Sequence, residues 1–104
     1  MQKFFLGDLV RVADDLGKSM AHFPCGQDAI VLYSYSEKHC QSVAGDKQFG
    51  LYLLKDKQES AWYYENQLAL IAEDMFERLP KTNVYRRSYD FKMARKQKMG
   101  NKNG

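Results

Sequence analysis

Apolar and polar positions alternate with a period of two over several short stretches of this chain, and turn-forming residues separate those stretches. Residues 9–13 place Val10 and Val12 on one side and Arg11 on the other, the pattern of a half-buried strand. Residues 14–28, rich in Asp and Gly and containing Ser19 and Pro24, read as a long loop. A second strand is predicted over 28–36, where the run Ile30-Val31-Leu32-Tyr33 suits burial on both faces and Tyr33 and Tyr35 share one of them. Residues 37–48 carry Gly45-Asp46 and read as the next turn region. Strands are then predicted over 49–55, 60–64 and 68–72, with a charged turn at Asp56-Lys57-Gln58-Glu59. Glu65-Asn66-Gln67 is expected to form a single helical turn between the last two.

Five short strands with no long amphipathic helix between them predict a mainly β, antiparallel architecture rather than alternating strands and helices. After the last strand the period changes. Met75, Phe76 and Leu79 predict a short helix within 73–79 that covers one end of the sheet, and Pro80 stops it. Tyr85, Tyr89 and Met93, four residues apart, predict a helix over about 84–99, with 100–104 frayed. The expected organisation is a β-domain over 1–73, a capping helix over 74–80 and a basic C-terminal arm over 81–104, partly helical or disordered.

Length and composition bound the function. A chain of 104 residues is one domain, and at 44% hydrophobic residues it can bury one small core. No apolar run approaches the ~20 residues that span a bilayer, so no membrane partner is expected. The amino terminus lacks the apolar region of a secretory signal, which points to the cytoplasm and leaves Cys25 and Cys40 as free thiols. The net charge of +3 hides its distribution. Residues 1–80 hold eight Lys/Arg against twelve Asp/Glu, whereas residues 81–104 hold eight Lys/Arg against Asp90 alone. A mildly acidic body therefore carries a strongly basic extension, which calls for an anionic partner or for the arm folding back on the body.

Candidate chemistry is sparse. His22 and Cys25 have the spacing of a chelating pair, but His39 and Cys40 are adjacent and point to opposite sides of an extended chain, so no metal site is predicted. Neither cysteine has a neighbouring base with an orienting third group, Asp14-Asp15 reads as a solvated pair, and the seven glycines form no phosphate-cradling loop. No catalytic residue and no cofactor is expected, and the chain reads as a non-enzyme. The aromatics carry more. Tyr33, Tyr35, Trp62, Tyr63 and Tyr64 fall on neighbouring strands, where alternation puts Trp62 and Tyr64 on one face and Tyr63 on the other. They are candidates for a protein-docking platform, with core packing and cross-strand pairing as the competing use. In the arm, Lys81, Tyr85, Arg86, Arg87, Tyr89, Lys92, Arg95, Lys96 and Lys98 mix cations with aromatics, a composition suited to gripping phosphates and stacking bases. The same residues suit an acidic protein surface, and a merely solubilising tail is the third use.

The order of the segments Gly7-Asp8-Leu9-Val10-Arg11-Val12, Ser19-Met20-Ala21-His22-Phe23, Ala29-Ile30-Val31-Leu32-Tyr33-Ser34-Tyr35 and Trp62-Tyr63-Tyr64-Glu65-Asn66-Gln67-Leu68 resembles small uncharacterised SH3-like barrel proteins of bacteria, phages and prophages. The likeness covers roughly residues 4–72 and leaves the arm uncovered. It implies a five-stranded SH3-like barrel and an origin in a mobile element, and it implies no activity. Two functions follow as expectations. One is a binding module whose barrel docks a protein while its arm contacts nucleic acid or a nucleoprotein surface. The other is a phage-like inhibitor or adaptor that binds a host protein, such as a defence complex. The oligomeric state is left open.

Overall fold

The computed structural model describes residues 3–40 and 47–101, and the side chains of 97–101 are not among them. The predicted Gly45-Asp46 turn therefore lies outside the described residues, as do 102–104. The described residues form five strands: β1 (Leu9–Val12), β2 (Asp28–Ser34), β3 (Gln48–Leu53), β4 (Gln58–Tyr64) and β5 (Leu68–Ala72). They make one antiparallel sheet in the order β4-β3-β2-β1-β5. A five-residue helix α1 (Tyr35–His39) follows β2, and α2 (Val84–Asn101) ends the described chain. The expected helical turn at Glu65–Gln67 is present as a 3-10 turn.

Alternation along the strands sorts the side chains into two clusters. Val10, Val12, Ala29, Val31, Phe49, Leu51, Leu53, Tyr63 and Leu68 fill one face of the sheet together with Phe4, Leu16 and Met20. The long loop after β1 bends back over this face. Gln67 holds it there by donating Nε2 to the Leu16 carbonyl at 3.1 Å, while its Oε1 accepts from the Tyr64 N–H at 2.9 Å.

The opposite face buries Leu9, Ile30, Leu32, Tyr52 and Leu79, with Met75 and Tyr85 packed against them. Leu79 is 2% exposed, so the segment after β5 belongs to the fold and supplies a second covering layer. Its anchor is at Gly7, whose carbonyl accepts from the Met75 N–H at 2.8 Å. Gly7 has φ +96°, and a Cβ there would come within 2.5 Å of the Phe76 ring, so only glycine permits this approach.

Several predicted boundaries differ from the structure: β1 ends at Val12, β3 covers Gln48–Leu53 instead of 49–55, and β4 starts at Gln58, so Gln58 and Glu59 of the expected charged turn belong to a strand. β2 stops at Ser34 because Ser34 caps α1: its Oγ accepts from the Glu37 N–H, and the Glu37 carboxylate accepts from the Ser34 N–H at 2.8 Å. This reciprocal box is encoded in Ser34-x-x-Glu37, so Tyr35 leaves the strand and starts a helix. The predicted helix over 73–79 shrinks to a 3-10 turn, Phe76–Arg78, because these residues are placed by contacts to the sheet rather than by an amphipathic repeat. The predicted 84–99 helix runs instead from Val84 to Asn101, into the stretch expected to fray. Asn83 caps its start, accepting from the Tyr85 and Arg86 N–H groups.

Candidate functional site

The aromatic candidates divide. Tyr63 is fully buried; its ring packs edge-on to Phe23 and its hydroxyl donates to the Pro24 carbonyl at 2.8 Å. Tyr63 is thus a core residue that ties β4 to the long loop, and it is removed from the protein-docking set. Tyr64 points the other way and is exposed, as alternation requires. It lies away from the main cluster, beside Lys47, Glu65 and Asn66.

Tyr33, Tyr35 and Trp62 do come together, joined by two residues that the sequence reading did not place with them, His39 and Tyr85. The Trp62 ring lies 5.4 Å from Tyr33, 5.1 Å from Tyr35 and 5.4 Å from His39, and Tyr35 is 4.4 Å from His39. Tyr85 reaches Tyr33 at 5.7 Å from α2.

Two local features assemble this cluster. The pairing of β2 with β3 shifts register between Val31 and Tyr33, so Leu32 and Tyr33 both serve the second face although they are consecutive. A bulge re-aims a side chain in this way. Tyr33 then lies across Gly50, where a Cβ would sit 2.2 Å from its ring. Gly50 is therefore the floor on which Tyr33 rests. Helix α1 next swings Tyr35 and His39 over to Trp62, which strict strand geometry would not do.

The cluster opens into a cleft of about 340 Å³ lined by Leu6, Leu32, Tyr33, Glu37, Lys38 and Tyr85. The Lys38 ammonium sits over the Tyr33 ring, 5.2 Å from its centroid. Burial raises the pKa of both tyrosine hydroxyls. Glu59 adds to the effect at Tyr33, and Tyr33, Glu59 and Glu37 add to it at Tyr85.

The arm candidates also divide, at about Asp90. The first turns of α2 are docked: Tyr89 stacks on Phe76 at 3.9 Å and 5° between planes, and Arg86 donates Nη1 to the Phe76 and Leu79 carbonyls while pairing with Asp90 at 3.0 Å. Arg86 and Tyr89, expected to serve a partner, are here spent on the fold, while Tyr85 packs against the second face of the sheet and still lines the cleft. Their apolar neighbours on the second face of the sheet explain why, since they are the nearest cover for it. Arg87, Lys92, Arg95 and Lys96 are exposed, and among the described residues none of the four has an ion pair. Val84 and Phe91, at 63% and 68% exposure, lie among them. Lys81 is exposed in the turn before α2, and the Lys98 side chain lies outside the described residues.

Cys25 and Cys40 are unpaired and exposed. His39 stacks among aromatics, on Tyr35 and Trp62. Among the described residues no three His, Cys, Asp or Glu side chains converge on one point, and no described helix is long and apolar enough to cross a membrane. The molecule that emerges is a small, mainly β protein of five antiparallel strands with a docked C-terminal helix. No known family model, curated protein or solved structure matches the chain.

Proposed function

We propose that this protein is a non-catalytic, cytoplasmic binding module of the SH3-like type, whose basic helix contacts nucleic acid or a nucleoprotein while its aromatic cluster docks a protein. The strand order, the long loop between β1 and β2, and the 3-10 turn before β5 suit an SH3-like barrel. One observation carries the functional reading: beyond Asp90, α2 presents Lys92, Arg95 and Lys96, with Arg87 one turn earlier, as exposed cations that no carboxylate offsets among the described residues. Such a row of cations neutralises phosphates and releases their counterions. Phe91 beside them supplies a ring for an unstacked base.

The test is binding to generic single- and double-stranded nucleic acid across salt. With four phosphate contacts, affinity is expected to fall about a hundredfold between 50 and 200 mM salt. Replacing Arg87, Lys92, Arg95 and Lys96 by Gln is expected to abolish binding and leave the thermal midpoint near that of the parent. Absence of binding at 50 mM salt, or binding indifferent to the four substitutions, overturns the reading.

A second reading rests on Val84 and Phe91. They stand seven residues apart, so they fall on one face of α2 with Arg87 and Arg95 between and beyond them. An apolar stripe edged by cations suits an acidic groove on a protein, the mode expected of a phage-like inhibitor or adaptor of a host complex. A protein captured equally with and without nuclease, and lost on Phe91→Ala, selects this reading over the first.

A further inference from the structure

The cleft between β2, α1 and α2 has a chemistry of its own. Its floor is the Tyr33 ring, fixed on the Gly50 backbone and edged by Trp62. Tyr85 forms a second wall, tilted 35° to Tyr33. Glu37 lines the third side, and its carboxylate cannot swing away freely because it accepts the Ser34 N–H in the capping box of α1. Two aromatic walls and a fixed carboxylate are the elements that attract an organic cation.

The molecule already places a cation there. The Lys38 ammonium lies over Tyr33 and has no ion pair among the described residues. It sits on an exposed, flexible side chain, so a stronger ligand can displace it. We infer that the cleft of Tyr33, Tyr85 and Glu37 is a receptor for a lysine side chain of a partner protein, with Lys38 as its resident competitor. Methylation of the incoming ammonium favours binding, because the methylated cation keeps its charge and sheds water more readily. The cleft is open, as entry of a side chain from a protein surface requires; Glu59 acts on the hydroxyls of both tyrosines and Glu37 on that of Tyr85. This inference rests on reading the aromatic face as a docking surface. It does not depend on what the arm binds.

Trp62 is the single tryptophan of the chain and touches Tyr33, so its fluorescence reports on the cleft. The full chain is titrated with capped trimethyllysine, capped lysine and capped acetyllysine, and contacts to the Tyr33 and Tyr85 rings are followed by NMR. The expected order is trimethyllysine tighter than lysine, with neutral acetyllysine failing to bind. Tyr85→Leu is expected to weaken trimethyllysine binding about tenfold, and Tyr85→Phe to preserve it. Glu37→Gln keeps the capping box, since glutamine serves at that position, yet loses the charge and is expected to weaken binding about threefold. Lys38→Ala is expected to tighten binding about threefold by removing the competitor. Acetyllysine binding as well as trimethyllysine overturns the inference, as does Lys38→Ala weakening the complex or Glu37→Gln leaving it unchanged. Glu37 and Lys38 are exposed, so their variants decide the matter even if Tyr85→Leu fails to fold. The four-fold Gln variant of the arm is expected to bind trimethyllysine like the parent, which separates failure of the cleft from failure of the nucleic-acid reading.

Discussion

Gly50 shows how much a single absent side chain can decide. It lies in β3 with ordinary strand backbone, so its role is spatial: the Tyr33 ring occupies the place of the missing Cβ. Gly50→Ala is expected to cost about 1–3 kcal/mol, read as a lower urea midpoint, with a change in Trp62 emission as Tyr33 is displaced. Asp8 offers a second test. Burial raises its carboxyl pKa above the ordinary 3.8; the hydrogen bond from the Phe5 N–H opposes this, and Glu73 and Asp74 reinforce it. Because the folded value lies above the unfolded one, the native chain holds a proton that the unfolded chain has already released. Stability from this group is present at low pH and is lost as pH rises through the folded value. Asp8→Asn is therefore expected to raise the unfolding midpoint at neutral pH and to give no gain below 3.8, in thermal melts at the two pH values.

At the scale of elements, α1 is the clearest case of local encoding that hydrophobic alternation hides. Tyr33 and Tyr35 fit a continued strand, but Ser34 and Glu37 form a capping box and end it. Ser34→Ala is expected to cost about 1 kcal/mol and to release Tyr35 and His39 from Trp62, visible as altered Trp62 fluorescence. Glu37→Gln is expected to leave both nearly unchanged. The bulge at Leu32 has no such signature. It arises from pairing with β3, and no local pattern near Leu32 distinguishes it from regular strand. The aromatic cluster was accordingly only half legible: Trp62, Tyr33 and Tyr35 could be grouped by composition, although β3 lies between β2 and β4 and lets Tyr33 meet Trp62 only across Gly50, whereas His39 and Tyr85 were reached only through α1 and α2.

For the whole molecule, the question is how far the C-terminal segment belongs to the body. Leu79 and Tyr85 pack on the second face of the sheet, and Arg86 and Tyr89 fasten α2 to the Phe76–Leu79 segment. A chain ending at Asp90 is therefore expected to fold and to lose nucleic-acid binding. One ending at Ala72 uncovers Leu9, Ile30 and Leu32 and is expected to aggregate or unfold, as judged by size-exclusion chromatography and circular dichroism. Leu79→Ala is expected to cost about 3 kcal/mol through the cavity it leaves. The predicted boundary at residue 81 marks where the charge changes, while the change in packing comes about ten residues later.

By itself the sequence determined the strands, the helical turn at Glu65–Gln67, the placing of Tyr63 and Tyr64 on opposite faces of β4, and the separation of a basic end from a mildly acidic body. These follow from nearest-neighbour geometry: strand alternation, turn chemistry and charge are written within a few residues of where they act. That the Tyr63 face is the buried one came from the structure. Only the tertiary structure decided which cations stay exposed, that the segment after β5 covers the second face of the sheet, and that Tyr85 meets Tyr33. Those outcomes depend on which surfaces outside the local stretch find each other, and burial of apolar area, being non-directional, leaves no local mark of the partner it selects.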